Sequence, residues 1–523
     1  MQMNSDFSKR DTSIMKGFAI LCIVFHNYFH WLYPSPGENE FDFSASRVTT
    51  FFQMLGDKPG EWFNLLFSYL GHYGVQLFVL LSGFGLAVSM MSRPRSWESF
   101  VLTRLKKLYP LLLTGLLAYC LGIVLMESRS LGPYEWKEIG YKLLFIHTLI
   151  PNSGLSLNGP WWFFALILQL YLLFPLLYRW FKRWGWMAFL CVCLGAYGLV
   201  FLFRYGFNLY QGSIVMMNAP GHLPEFCLGI MLALRRDQKI HWGWLLLAIA
   251  VFCLGNVYAL CYPFTFLSLT VIMLFTYQGL KRLRFKKQWL SRPLAYFGGI
   301  SMALFAVHGC FRTPVLKLAQ TMDGAWGHFW SGVIYLLIVW AVALAAKAFY
   351  DFLCHQLDRI HIRESRATKV IGRVCQVALG LFFAYVLGYF IAQDLHKDTC
   401  PAADLQLATS GTVDKDAEFI SLTNQTIDEN LLLFDIRCAF DFSSQDTLGP
   451  LPCLIMDIPD KMWMKYEIPA SYNTTTPQHY EVTHRYLRPF HQNIKGDPIH
   501  VYFWNPNPGG AFKFEKAQVT LLR

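Results

Sequence analysis

Eleven apolar runs, each long enough to cross the ~30 Å hydrocarbon layer of a bilayer, fill most of the chain up to residue 392. They lie near 14–33, 63–91, 106–126, 160–179, 186–203, 216–234, 243–261, 264–280, 294–316, 329–352 and 370–392. A backbone in lipid must satisfy its own hydrogen bonds, so these runs are predicted to be helices. The stretch 138–150 is apolar but short, and reads as interfacial or re-entrant. Only 15% of the 523 residues are charged, against about a quarter in a soluble domain. The first run is long and lacks a small-residue cleavage site, so it is expected to stay as a span and not to be removed as a signal peptide.

Lys and Arg crowd one alternate set of connecting segments and are sparse in the other. The crowded set includes Lys9, Arg10 and Lys16, then Arg93, Arg95, Arg104, Lys106 and Lys107, and the cluster from Lys281 to Lys287. The sparse set holds residues such as Arg47, Lys58 and Lys142. Cytoplasmic loops collect basic residues, which predicts a cytoplasmic N-terminus and, after eleven spans, an extracytoplasmic tail. From Asp394 onward there are 17 acidic and 11 basic residues, so the tail is acidic although the whole chain carries +11. Basic loops with an acidic tail suit two compartments and not nucleic-acid binding.

The tail alternates apolar and polar residues over Leu431–Phe442, Cys453–Ile458, Tyr480–Leu487, Ile499–Trp504 and Phe512–Leu522. Period-two alternation marks half-buried strands, and about 120 residues of strand and turn suggest a β-sandwich, jelly-roll-like in its last hairpin. Of the 13 Cys, most stand singly in apolar runs, as small hydrophobes do, and no zinc spacing occurs. Cys400, Cys438 and Cys453 in the tail allow one disulfide with one thiol left over.

Polar side chains inside a bilayer are expensive, so their depth is informative. At ~1.5 Å per residue, His26 and His308 on outward-running spans and His72, Gln169 and Glu225 on inward-running spans fall in one slab near mid-membrane. Spans sharing such a slab are expected to line a common cavity. His30 shares a helix face with His26, but no carboxylate in that span completes a ligand set, and no metal is expected. Arg312 stands one turn after His308 on the same face, placed for a hydroxyl or anionic group, or to snorkel to the interface.

Six stretches, in order, resemble the acyltransferase-3 family over roughly residues 10–350. They are Lys16-Gly-Phe-Ala-Ile-Leu-Cys-Ile-Val-Phe-His26, Gly71–Phe84 ending in Ser-Gly-Phe, and Arg104-Leu-Lys-Lys-Leu-Tyr-Pro110. The others are Gly159-Pro-Trp-Trp-Phe-Phe164 followed by Gln169, Pro224-Glu-Phe-Cys-Leu-Gly229, and Gly298–His308. Two departures stand out: Lys16 replaces the family's usual Arg, and Ile167 and Leu168 stand where many members have acidic residues.

The resemblance implies a membrane domain of about ten helices over 1–355; the residues themselves add a basic linker and an eleventh span over 356–392 and an extracytoplasmic sandwich over 393–523. It also implies transfer of an acyl group, acetyl by default, from cytoplasmic acyl-CoA to a hydroxyl of a surface glycan or lipid-linked sugar at a bacterial inner membrane. No permanently bound cofactor is expected; acyl-CoA is a donor substrate. Membrane lipid and a carbohydrate acceptor are the expected partners, together with proteins of glycan biosynthesis. The roles that follow are His26 as base, or as the group that takes the acyl itself, with Glu225 or His308 orienting it. Lys16, Arg104 and Lys107 would hold the CoA end, and His72, Gln169, Trp161 and Arg312 the acceptor. No Gly-Asp-Ser motif in the tail offers a separate hydrolase-like step. The rival is a transporter or flippase, which also needs many spans and buried polar groups; the sequence shows no inverted repeat or paired broken helices.

Overall fold

The computed structural model describes residues 2–359 except 5–6, 33–39, 42, 129, 151–152, 207–212, 237–238, 283–287, 320 and 323. It further describes residue 381, and 403–522 except 405–409, 415–416, 428–432, 446–450, 460, 469–471, 488–493 and 506–509. The eleventh span expected at 370–392, apart from Leu381, lies outside the described residues, as do Cys400 and the basic residues after Arg282 in the cluster that begins at Lys281. The chain divides into two compact units: Met1–Thr148 with Gly154–Gly206 and Gly212–Gly380, and Leu381–Arg523 with Leu149–Ser153 and Phe207–Gln211.

The first unit is helical. In chain order its helices are α1 (Lys9–Phe29), α2 (Ala45–Asp57), α3 (Trp62–Leu70), α4 (Gly74–Ser92), α5 (Trp97–Gly122), α6 (Pro133–Leu143), α7 (Trp162–Trp184) and α8 (Trp186–Phe201). There follow α9 (Ser213–Met216), α10 (Ala219–Leu234), α11 (Gly243–Gly255), α12 (Thr265–Arg282), α13 (Gln288–Val307), α14 (Arg312–Ala319) and α15 (Gly324–Asp358). Among the described residues, eight helical segments are long and apolar enough to cross a membrane, and α10 and α11 are shorter apolar helices where two further spans are expected. A two-stranded ribbon, β1 (Gln2–Asn4) with β2 (Lys239–His241), ties the N-terminus to the α10–α11 connection.

Among the described residues, two of the expected spans are interrupted by a 3₁₀ turn with α-helix on either side, where the sequence shows no paired broken helices. A 3₁₀ turn at Gly71–Tyr73 separates α3 from α4, and another at His308–Phe311 separates α13 from α14. Neither break contains Pro. A single 3₁₀ turn leaves the hydropathy of a run unchanged, so the sequence pattern does not show it, and such turns often mark functional positions.

Glycine lets the helices approach closely, which matters where lipid removes any hydrophobic drive to associate. A Cβ on Gly17 would stand 1.8 Å from the Leu294 carbonyl oxygen, and one on Gly298 1.9 Å from that of Ser13, so α1 and α13 cross backbone to backbone. Gly83 and Gly229 do the same for α4 and α10, with 2.2 Å to the Phe226 oxygen and 2.0 Å to the Leu80 oxygen. At the start of α1, Ser8 and Asp11 form a capping box that satisfies end N–H groups. Asp11 also pairs with Lys281 at 2.8 Å and accepts from the Tyr277 hydroxyl at 2.6 Å, both on α12.

The second unit is built of antiparallel strands: β3 (Ala403–Asp404), β4 (Gly411–Val413), β5 (Phe419–Thr426), β6 (Leu433–Ser444), β7 (Cys453–Ile458), β8 (Met462–Glu467), β9 (Gln478–Leu487), β10 (Pro498–Trp504) and β11 (Phe512–Leu522). One sheet runs β5-β10-β7-β8 and the other β3-β11-β6-β9, with β4 also on β11. Phe503 of the first sheet meets Phe440, Phe512 and Phe514 of the second at centroid distances of 4.9, 5.3 and 5.2 Å, giving the dry interior of a sandwich. Cys438 and Cys453 are not joined to each other by a disulfide.

Candidate active site

Gly71 sets the geometry around His26. A Cβ there would lie 2.6 Å from the Cys22 carbonyl oxygen and 2.8 Å from the His26 Cβ, so only glycine lets the 3₁₀ turn seat itself on α1. His72, next in sequence, then meets His26 edge to face at 5.5 Å between ring centroids. Both side chains are 2% exposed.

The His26 Nδ1 lies 2.8 Å from the Ser68 carbonyl oxygen. A carbonyl has no proton to give, so Nδ1 carries the hydrogen and donates it, and the neutral ring keeps its lone pair on Nε2. That Nε2 is 3.8 Å from a carboxylate oxygen of Glu40. His30 stacks on His26 at 5.0 Å and its Nδ1 donates to the His26 carbonyl at 2.8 Å. The same logic applies at His308. Its Nδ1 donates to the Phe305 carbonyl at 2.9 Å, and its Nε2 is buried with no hydrogen-bond partner among the described residues. The Tyr335 hydroxyl donates to the His308 carbonyl and fixes the turn. His308 lies within electrostatic reach of His26. His26, His72 and His308 are thus drawn to one region from α1 and the two broken spans.

The other expected residues are placed elsewhere. Glu225 is buried on α10, electrostatically coupled to Cys193 and Tyr197 of α8, and among the described residues no hydrogen bond or ion pair joins it to His26 or His308. The Gln169 amide is engaged at both ends: its nitrogen donates to the Asn218 side chain at 2.6 Å and its oxygen accepts from the Ala219 N–H at 2.9 Å, holding the N-terminus of α10. The Trp161 indole donates to the Ala306 carbonyl at 2.9 Å, two residues before His308. Arg312 donates to the Asn27 carbonyl at 3.0 Å and lies 4.5 Å over the Trp31 ring, a cation at a helix C-terminus. Lys16 is half-buried on α1, Arg104 is half-buried on α5 with its guanidinium 5.3 Å from the Phe100 ring, and Lys107 is exposed.

Several residues were not legible in the sequence as site candidates. Glu40 comes from the loop after α1, and its backbone carbonyl accepts from the Tyr262 hydroxyl at 2.7 Å. His222, three residues before Glu225, is sandwiched between Trp162 at 5.4 Å and Phe266 at 5.5 Å. Lys142 is wholly buried, with an amine that has no hydrogen-bond partner among the described residues. His147, also wholly buried, donates from Nε2 to the Trp161 carbonyl at 3.1 Å. Among the described residues no group of three or more His, Cys, Asp or Glu side chains is arranged to hold a metal ion.

A family model described as an acyltransferase domain matches residues 12–349, more than half of the chain and the stretch that contains every residue of the histidine site. No curated protein and no solved structure matches the chain.

Proposed function

From the premise that this chain belongs to the acyltransferase-3 family, we propose that it transfers an acyl group, acetyl by default, from cytoplasmic acyl-CoA to a hydroxyl of an extracytoplasmic glycan or lipid-linked sugar. The observation that carries the reading is the hydrogen bond from His26 to the Ser68 carbonyl. It leaves Nε2 as a proton acceptor inside a buried site. A neutral imidazole suits that task near pH 7.

In this mechanism the acceptor hydroxyl gives its proton to His26 Nε2 while its oxygen attacks the thioester carbonyl. The carbon–sulfur bond breaks, the thiolate leaves, and it takes the proton back from Nε2. The products are the sugar ester and free CoA thiol. His308 offers a second acceptor nitrogen, its buried Nε2 having no hydrogen-bond partner among the described residues. Lys16, Arg104 and Lys107 hold the CoA phosphates, since Lys and Arg pair strongly with phosphate. The setting is a bacterial inner membrane, with the N-terminus cytoplasmic and the sandwich unit outside, beside proteins of glycan biosynthesis. The basic residues of the alternate loops support that orientation.

The test replaces His26 with Ala in a strain lacking the native gene and compares surface glycans by mass spectrometry. Loss of the ester by a factor of about 10² or more is expected; unchanged acylation removes His26 from the reaction. Lys16→Ala should raise KM for acyl-CoA and leave acceptor KM alone, and an equal rise in both counts against the CoA role.

A further inference from the structure

The two sheets of the second unit turn unlike faces outward. On β3-β11-β6-β9 the outward charges answer one another: Arg437 pairs with Glu481 at 2.8 Å, and Lys516 with Asp441 at 2.7 Å. On β5-β10-β7-β8 the alternation has another result. Ile499, Val501 and Phe503 of β10 are fully buried, so His500, Tyr502 and Trp504 between them point outward. Phe419 on β5 stands opposite Trp504, and Trp463 on β8 stands opposite Asp457, itself opposite His500. Residues directly opposite each other share a face, so four aromatic rings lie on this one. Phe419 is 58% exposed and Trp463 53%, and no other large apolar side chain is exposed among the described residues of 403–522.

Apolar side chains gathered on one outward face mark an interaction site, and the chemistry of this face narrows its occupant. Lipid is met by exposed aliphatic side chains, and none is exposed among the described residues here. The centre of a protein interface is depleted of charge, whereas this face sets charges among its rings. Lys465 Nζ lies 5.6 Å from the Trp504 ring, His500 pairs with Asp457 at 3.5 Å, and Phe419 meets Tyr502 edge to face at 5.8 Å. Rings offer a flat, negative π-surface to the polarised C–H groups of a sugar, and the polar groups between them meet its hydroxyls. Lys465 and Asp457 are of opposite sign, which suits an uncharged ligand better than an anionic one. Phe419 and Trp463 stand on the two edge strands, three spacings of ~4.8 Å and so at least about 14 Å apart, which is too far for one sugar residue to touch both. We propose that this face is a glycan-binding site, distinct from the histidine site, that takes a run of several uncharged sugar residues of the acceptor polymer. Only the choice of polymer rests on the acyl-transfer reading.

The experiment uses the full chain in detergent and, as probe, the surface polysaccharide purified from a strain lacking the gene. Kd is measured by calorimetry for the wild type, Phe419→Ala, Trp463→Ala, Trp463→Phe and Arg437→Ala, with light scattering alongside to report oligomeric state. Binding is expected, and it should persist in about 1 M salt, where charges are screened beyond roughly 3 Å. Phe419→Ala and Trp463→Ala should each weaken it about tenfold or more, as truncation of an aromatic anchor does; both positions are exposed, and an unchanged melting temperature confirms the fold. Trp463→Phe keeps a ring and should fall between. Arg437→Ala, on the opposite sheet, should bind as the wild type does. No binding by the wild type, or binding that both alanine variants retain, overturns the inference. So does a wild-type dimer that both variants split, which gives the face to a second copy of the chain. The two readings fail separately. A polysaccharide that is identical with and without the gene, yet is bound through these rings, removes acyl transfer and leaves the site. Acylation of a polysaccharide that the chain does not bind in this assay removes the site and leaves acyl transfer.

Discussion

Lys142 stands one turn after Glu138 and shows what burial does to a side chain whose sequence context says surface. In the sequence it counts among the few basic residues of the sparse loops. In the structure Lys142 on α6 is fully buried, with the charge of Glu138 acting on it. Burial pushes its ammonium down to about 7. A buried charge with no hydrogen bond is a liability that a hydrophobic side chain of equal length removes. Lys142→Met is therefore expected to raise stability by about 1–3 kcal/mol, seen as a higher melting temperature in detergent; a lower one would show that the amine is stabilising. His26, His72 and His308 were legible in the sequence as a group, because intramembrane histidines are rare enough to be read by depth alone. Glu40 was not, because no periodicity links a loop residue to the helix it folds back on.

Among the elements, the helices were legible and their interruptions were not. Hydropathy over about twenty residues finds a span, and ten of the eleven expected runs coincide with apolar helices among the described residues. What decides chemistry is one turn long. The 3₁₀ turn at Gly71–Tyr73 brings His72 against His26 only because Gly71 lacks a side chain. Gly71→Ala should push the turn off α1 and cost about 1–3 kcal/mol, as overpacking does. Activity should fall by about 10²-fold, the penalty for roughly 1 Å of misplacement. Gly85→Ala is the matched control, since nothing lies within 4 Å of its position; it should leave both stability and turnover near wild type. Equal loss from both variants would deny Gly71 its special place.

For the molecule as a whole, alternation located five strands of the second unit to within two residues, as with Cys453–Ile458 and Phe512–Leu522, and missed β3, β4, β5 and β8. Sheet order was not legible, because partners such as β10 and β5 meet across some 75 residues of chain. The sandwich holds a pH-sensitive group in His484, buried against the Tyr466 hydroxyl at 2.5 Å, and burial pushes its pKa from 6.5 down to about 4. The unfolded chain takes up this proton below about pH 6.5 while the folded one does not until about 4. Stability from this group is therefore complete above 6.5 and lost as pH falls through that window, by about 3 kcal/mol in all. Proteolysis of this unit at pH 7 and pH 5 should show the loss, and His484→Gln should flatten it; identical pH dependence would refute the assignment. The helical unit carries a different consequence. Asp11 fastens one end of α1 to α12, and Arg312 clasps the other through the Asn27 carbonyl. Tethered at both ends, α1 is restrained against sliding and tilting past its neighbours. On the proposed acyl transfer, the helix that carries His26 is then a fixed wall of the route, and it is the substrate that has to move.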